Sequence, residues 1–194
     1  MPPPEARAAG LLLSADERAR LLPSLSTREQ LVEVERLGLH AARVWAMRPA
    51  VLGRPDLLSE AFARELHRRI FGAVWRGAGD YRRVAGPAGW EPGQIAGGMR
   101  VFLEDAGGWI SHGIHAPRDA AVRLHYRLLA VHPWANGNGR HARLLADVLV
   151  AAHGEAPLTW GAPAAGPAAR AAYALALAAA DAGDLGPLLA FAGS

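Results

Sequence analysis

The chain has 194 residues, long enough for one compact domain that buries roughly 70% of its unfolded surface. Hydrophobic residues make up 51% and charged ones 20%, which excludes an intrinsically disordered chain. There is no cysteine and no lysine, so thiolate metal sites, thiol nucleophiles, P-loop phosphate binding and Schiff-base chemistry are excluded. All 21 basic residues are arginine, and the net charge is only +3. The pI near 10.1 therefore reads as arginine bias, and nucleic acid is an unlikely partner.

The start, Met-Pro-Pro-Pro-Glu, carries no basic segment followed by an apolar run, so no signal peptide is expected. The apolar stretch 171–180 is too short and alanine-rich for a membrane span. Together these point to a cytoplasmic protein without a membrane partner.

The periodicity is helical almost throughout, and the expected class is all-α. Ser14-Ala-Asp-Glu17 and Ser26-Thr-Arg-Glu29 have capping-box spacing. The second opens an amphipathic run to about Met47, with Leu31, Val34, Leu37 and Ala41 on one face. Pro49 to Pro55 interrupts the chain, and Ser59 caps a helix carrying Phe62, Leu66, Ile70 and Val74. Residues 77–91 are broken by Gly and Pro and read as a loop with a short hairpin around Tyr81–Val84. Helices are expected over 92–112, 118–131, 138–152, 167–182 and 185–191, with Gly154 as a stop. Eighteen of the last 44 residues are Ala, which sets 154–194 apart as Ala-rich helices packed on a core spanning 27–153, behind an N-terminal extension of 1–26.

The segment 132–143, HPWANGNGRHAR, carries the chemistry. His132 precedes a proline and is pushed away from helical geometry. The Asn-Gly-Asn-Gly run favours turn and left-handed backbone. A glycine-rich loop running into a helix presents backbone N–H groups to an anion. Arg140, His141 and Arg143 lie in the first turn, with no acid before Asp147. Cations there are disfavoured by roughly 0.3–1 kcal/mol each, which makes sense when an anion sits before them. Guanidinium forks suit a polyphosphate, and His132 can serve as a general base. These are parts for nucleotidyl or phosphoryl transfer; an acidic metal ligand is missing. His112 and His115 read as structural or surface residues, and Trp90 could line a cleft.

The segment resembles the Fic/Doc signature, His-x-Phe-x-(Asp/Glu)-Gly-Asn-Gly-Arg-x-x-Arg. His132, Gly137, Asn138, Gly139, Arg140 and Arg143 match. Phe71-Gly-Ala-Val-Trp-Arg-Gly-Ala-Gly-Asp-Tyr-Arg82 resembles the family's segment before its target-docking flap. The mobile mystery protein B subgroup is the nearest likeness, because its motif also carries Asn before Gly-Asn-Gly and continues Arg-His-Ala-Arg-Leu, as here through Leu144.

The resemblance implies a Fic fold: a helical bundle with the motif loop between two central helices and a small β-hairpin flap. It implies ATP as nucleotide substrate and AMP transfer to a Ser, Thr or Tyr hydroxyl of a protein target. His132 would be the base, and Arg140 and Arg143 would act with it on the β and γ phosphates. Asn136, Gly137, Asn138 and Gly139 would hold phosphate. Tyr81, Arg82, Arg83 and Val84 would form the flap that docks the target by strand addition. Two departures matter. Trp134 replaces Phe and needs a partner for its N–H. Asn136 replaces the acidic metal ligand, which weakens the expected hold on Mg2+. Alternatives are a phosphotransferase with reversed nucleotide, and a catalytically weak nucleotide-binding module or toxin component. The restraining (Ser/Thr)-x-x-x-Glu-(Gly/Asn) segment of relatives has no match, so restraint would come from an antitoxin-like inhibitory protein or be absent.

Overall fold

Helix starts in this chain are set by side chains that answer the unpaired N–H groups of a first turn. The computed structural model describes residues 15–86, 89–161 and 166–193. Helix α1 is Ala15–Arg20, and Ser14, its expected cap, lies outside the described residues. Helix α2 is Arg28–Ala46. Its cap is Thr27, one residue later than the Ser26–Glu29 spacing predicts. Thr27 Oγ1 accepts the Gln30 N–H at 3.3 Å, and Gln30 Oε1 accepts the N–H groups of Thr27 at 3.3 Å and Ser26 at 3.0 Å. Gln30 wins because its amide oxygen reaches two orphan donors at once.

Pro49 starts a one-turn helix, α3 (Pro49–Leu52), inside the expected break; proline suits a first helical position. Ser59 caps α4 (Glu60–Phe71), its Oγ accepting the Phe62 N–H at 3.1 Å. A 3-10 turn, Pro92–Gln94, leads into α5 (Ile95–Ser111). Gly98 in α5 leaves room for the Trp90 ring, which a Cβ there would strike.

Helices α6 (Pro117–Val131) and α7 (Asn138–Ala152) are the central pair, joined by the motif loop. They bury Leu124, Leu128 and Val131 against Leu145, Val148 and Leu149, and α4 adds Phe62, Leu66 and Ile70. Each such side chain contributes about 1.5–3 kcal/mol. Gly154, at φ 79°, ends α7 in the left-handed region. Helices α8 (Pro167–Asp181) and α9 (Gly186–Gly193) feed Ala176, Ala180, Leu188 and Ala192 into the same core. Tyr126 ties α6 to α8 by donating its hydroxyl to Asp181 at 2.8 Å.

The hairpin expected around Tyr81–Val84 does not form among the described residues: 81–86 and 89–91 hold no strand ladder. Two of their N–H groups reach across instead, Arg82 to the Pro133 carbonyl of the motif loop at 2.9 Å and Trp90 to the Val131 carbonyl at the end of α6 at 3.1 Å. Pro87 and Ala88 lie outside the described residues. Strand-like pairing is confined, among the described residues, to a bridge between Leu21 and Trp75 that packs Leu21 with Leu31 and Val74. No described helix is long and apolar enough to cross a membrane.

The displaced cap makes a simple expectation. Thr27→Ala lowers unfolding free energy by about 1 kcal/mol, whereas Ser26→Ala costs only a few tenths, roughly. Urea unfolding of the two variants checks it.

Candidate active site

The site is built where α6 stops. His132 adopts φ 52° and ψ 60°, a left-handed conformation that costs a non-glycine residue roughly 1–3 kcal/mol. The following Pro133 bars the helical alternative. Arg82 holds the strained turn: its Nε donates to the His132 carbonyl at 2.7 Å, its Nη1 to the Val84 carbonyl at 3.0 Å, and its Nη2 to the Trp90 carbonyl. The His132 imidazole is half-buried. Burial, and then the nearby Arg82 charge, hold its pKa below the ordinary 6.5.

Trp134 is wholly buried beneath the loop. Asn138 closes the turn around it, accepting the Trp134 N–H at 2.9 Å and donating to the Trp134 carbonyl at 2.9 Å. The indole N–H finds its partner in His141 Nδ1 at 3.1 Å. That assigns the His141 proton to Nε2, which donates to the Ala63 carbonyl at 2.9 Å. His141 is therefore a buried neutral residue, its pKa pushed down to about 3 by burial first, and it does not act as the cation that its place in the first turn suggests.

His67 has no counterpart in the sequence reading. It stacks on Trp134 with ring centroids 4.4 Å apart. Its Nδ1 accepts the Gly79 N–H at 2.9 Å, leaving Nε2–H for the Asn136 carbonyl at 3.2 Å. The root of the flap and the motif loop thus share one imidazole, held neutral by burial at a pKa of about 4.

Gly137 precedes α7 at φ 71°, and a Cβ there would overlap the Phe71 ring. The first internal bond of α7 is His141 N–H to the Gly137 carbonyl at 3.0 Å. The N–H groups of Asn138, Gly139 and Arg140 stand ahead of it, at the positive end of the helix. They open on a cavity of about 340 Å3 lined by His132, Asn136, Gly137, Asn138, Gly139, Arg140 and Arg143. Every motif residue singled out for phosphate binding thus lines one cavity with the proposed base, although the Asn138 side chain is spent on the turn.

The two arginines differ. Arg140 pairs with Glu35 of α2, Nη1 to Oε2 at 2.8 Å, and its guanidinium lies 4.8 Å from the Phe71 ring centre. Glu35 is a carboxylate that local reading missed, because it arrives from 105 residues away. Arg143 has no carboxylate partner among the described residues. It lies over the Tyr173 ring at 4.3 Å, and its buried Nε has no hydrogen-bond partner. Both arginines also line a neighbouring cavity of about 360 Å3, beside Trp160 and the ion pair of Arg43 with buried Asp147. Burial pushes the Asp147 carboxyl up, against bonds from Trp160 and Arg43.

Of the flap residues, Tyr81 donates to Glu60 at 2.7 Å and lies under Arg64, while Arg82 is the staple described above. Arg83 and Val84 face outward, Val84 with 77% of its surface exposed. Trp90 packs edge-on against Phe102. His115 pairs with Asp119 at 3.0 Å, and the His112 ring meets the Gly108 carbonyl at 2.8 Å.

Residues 57–150 match the Fic/DOC family. The chain carries a Fic/DOC family domain. It is 31% identical over 129 residues to a protein adenylyltransferase Fic of Culex quinquefasciatus, an alignment covering 64% of this chain and 25% of that protein. The chain thus spans about a quarter of the length of that relative. Its fold matches Fic-1 from C. elegans with a TM-score of 0.66 and 27% identity, over 97% of this chain and 56% of that one. It matches the fold of the BepC effector of Bartonella tribocorum, with bound AMPPNP, at a TM-score of 0.66 and 17% identity, over 89% of both chains.

The buried histidines set a pH dependence. His67, His125 and His141 have folded pKa values of about 4, 3 and 3, below the unfolded 6.5. Between those values the unfolded chain binds the protons, so stability is complete above 6.5 and falls as pH drops. From pH 7 to pH 5 each histidine costs about 2 kcal/mol, so unfolding free energy measured in urea falls by roughly 4–6 kcal/mol.

Proposed function

We propose that this chain transfers AMP from ATP to a hydroxyl group of a protein, with His132 as general base. The observation that carries the reading is the shared cavity, where a half-buried neutral imidazole faces the open end of α7 and two motif arginines. The adenylyltransferase names of the curated relatives support the same reading.

The neutral His132 takes the proton of the target hydroxyl. The oxygen attacks the α-phosphorus of ATP, the bond from that phosphorus to the bridging oxygen breaks, and pyrophosphate leaves. The N–H groups of 138–140 and the guanidinium groups of Arg140 and Arg143 face the charge that moves onto the leaving phosphates. Asn138 works through its backbone, because its side chain holds the turn. The exposed Arg83 and Val84 are the flap residues left to meet a target main chain.

The described residues contain no cluster of His, Asp or Glu able to cage a metal ion. Asn136 offers one neutral amide oxygen. The residues therefore fit Mg2+ carried in on the nucleotide's own phosphates, and not a resident ion. Two finer readings travel with this one, membership of the mobile mystery protein B subgroup and restraint by a separate antitoxin-like chain. The first rests on the motif sequence and the second on the lack of a match to the restraining segment in this sequence; co-purification of a small partner checks the second.

Labelling with ATP radioactive at the α-phosphate, and in parallel at the γ-phosphate, on the protein itself and on proteins of a lysate, tests the activity. Label lost in His132→Ala supports it. Transfer from the γ-phosphate alone, or no transfer, overturns it. Asn136→Asp lowers the Mg2+ concentration needed by roughly tenfold. Because the base must be neutral, the rate is flat above the lowered His132 pKa and falls only below it, placing the acid limb of the pH–rate profile under 6.5.

A further inference from the structure

Glu35 stands apart from the residues discussed so far. It belongs to α2, outside the segment 57–150 that matches the family. It is a buried carboxylate with both oxygens occupied: Oε1 accepts the Trp75 indole N–H at 2.7 Å, and Oε2 takes Arg140 Nη1 at 2.8 Å. We infer that Glu35 is a positioning residue for the nucleotide site, holding Arg140 with its free donors turned into the cavity. The inference rests on the nucleotide reading above.

The physical need is plain. Arginine has a long side chain with much rotamer entropy, and a cation at a helix N-terminus is pushed outward by the dipole. An arginine meant to meet phosphate there must be held beforehand, or the ordering cost falls on the ligand. Two contacts supply the hold, and a third supports the first. The Glu35 carboxylate fixes one end of the guanidinium, and the Phe71 ring lies beside it at 4.8 Å. Phe71 also lies against Gly137, so the same ring touches the loop and the arginine. Trp75 in turn fixes the carboxylate, and its backbone is pinned by the bridge to Leu21.

A carboxylate beside a phosphate-binding arginine can also compete with the phosphate. The geometry favours support. The Glu35 side chain is 7% exposed while that of Arg140 is 39% exposed, so the arginine stands between the acid and the solvent. Arg140 lines both cavities, and Glu35 is among the lining residues of neither. An entering anion meets the free face of the guanidinium, which keeps donors in hand after Nη1 is used. Glu35 need not be displaced. It also removes much of the electrostatic penalty of burying the stem of Arg140 in the first turn.

A double-mutant cycle on ATP affinity, measured by calorimetry with Mg2+ present, tests this. Glu35→Gln weakens ATP binding by about tenfold, and Trp75→Phe, which frees only Oε1, by about threefold. Both effects disappear in the Arg140→Ala background, because Glu35 acts through that side chain alone. Glu35→Gln that leaves affinity unchanged or tightens it, while Arg140→Ala still weakens it, overturns the inference and makes the acid a competitor. A loss of equal size with and without Arg140 reports general damage and also overturns it. Arg140→Ala with unaltered ATP affinity removes Arg140 from the nucleotide site and overturns this inference alone, whereas no ATP binding by the unsubstituted chain overturns the nucleotide reading and this inference with it. If Glu35→Gln does not fold, the Trp75→Phe arm of the cycle decides alone.

Discussion

Burying an indole in the middle of a helical protein obliges the chain to supply one acceptor. Here that acceptor is His141 Nδ1, and much of the site follows from the bond. Accepting at Nδ1 puts the His141 proton on Nε2, which ties α7 to the Ala63 carbonyl of α4. With Trp134 fixed, Asn138 can close on its backbone from both sides, and the turn that ends at Gly137 becomes rigid. His67 stacks on a face of the indole and brings in the root of the flap. A smaller ring at 134 would have no N–H to satisfy, and the neutral imidazole at 141 would then lose its reason. Trp134 and His141 are best understood as one unit.

The same economy governs charge. The cavity holds two guanidinium groups at the positive end of a helix, an arrangement that repels itself. The chain answers unevenly. Arg140 is balanced by a carboxylate from a distant helix, whereas Arg143 is left against aromatic faces with a buried donor unused. An unused buried donor costs free energy, so the two arginines are not equally well satisfied.

Local features were legible in the sequence wherever the deciding atoms lie within a few residues. Ser59 as a cap, the stop at Gly154 and the non-helical His132 all follow from nearest-neighbour rules. The motif residues are contiguous, so their shared cavity was readable too. What escaped depends on long-range packing. Glu35 and His67 carry no local mark: one reads as a solvated helix charge, the other as a polar residue on an apolar face. The Tyr81–Val84 segment reads as a hairpin because its residues suit strands, yet its Arg82 N–H finds an acceptor on the loop across the cleft. The shift from Ser26 to Thr27 is subtler, since both residues can cap and only the reach of Gln30 separates them.

The left-handed peptide at His132 is not held by its own helix alone. Its carbonyl is gripped by Arg82, whose other donors hold the backbone at Val84 and Trp90. Carbonyls from two separate stretches of chain are therefore fastened to one guanidinium. The fork is planar and its donors are rigidly spaced, so a shift of either stretch withdraws support from the other.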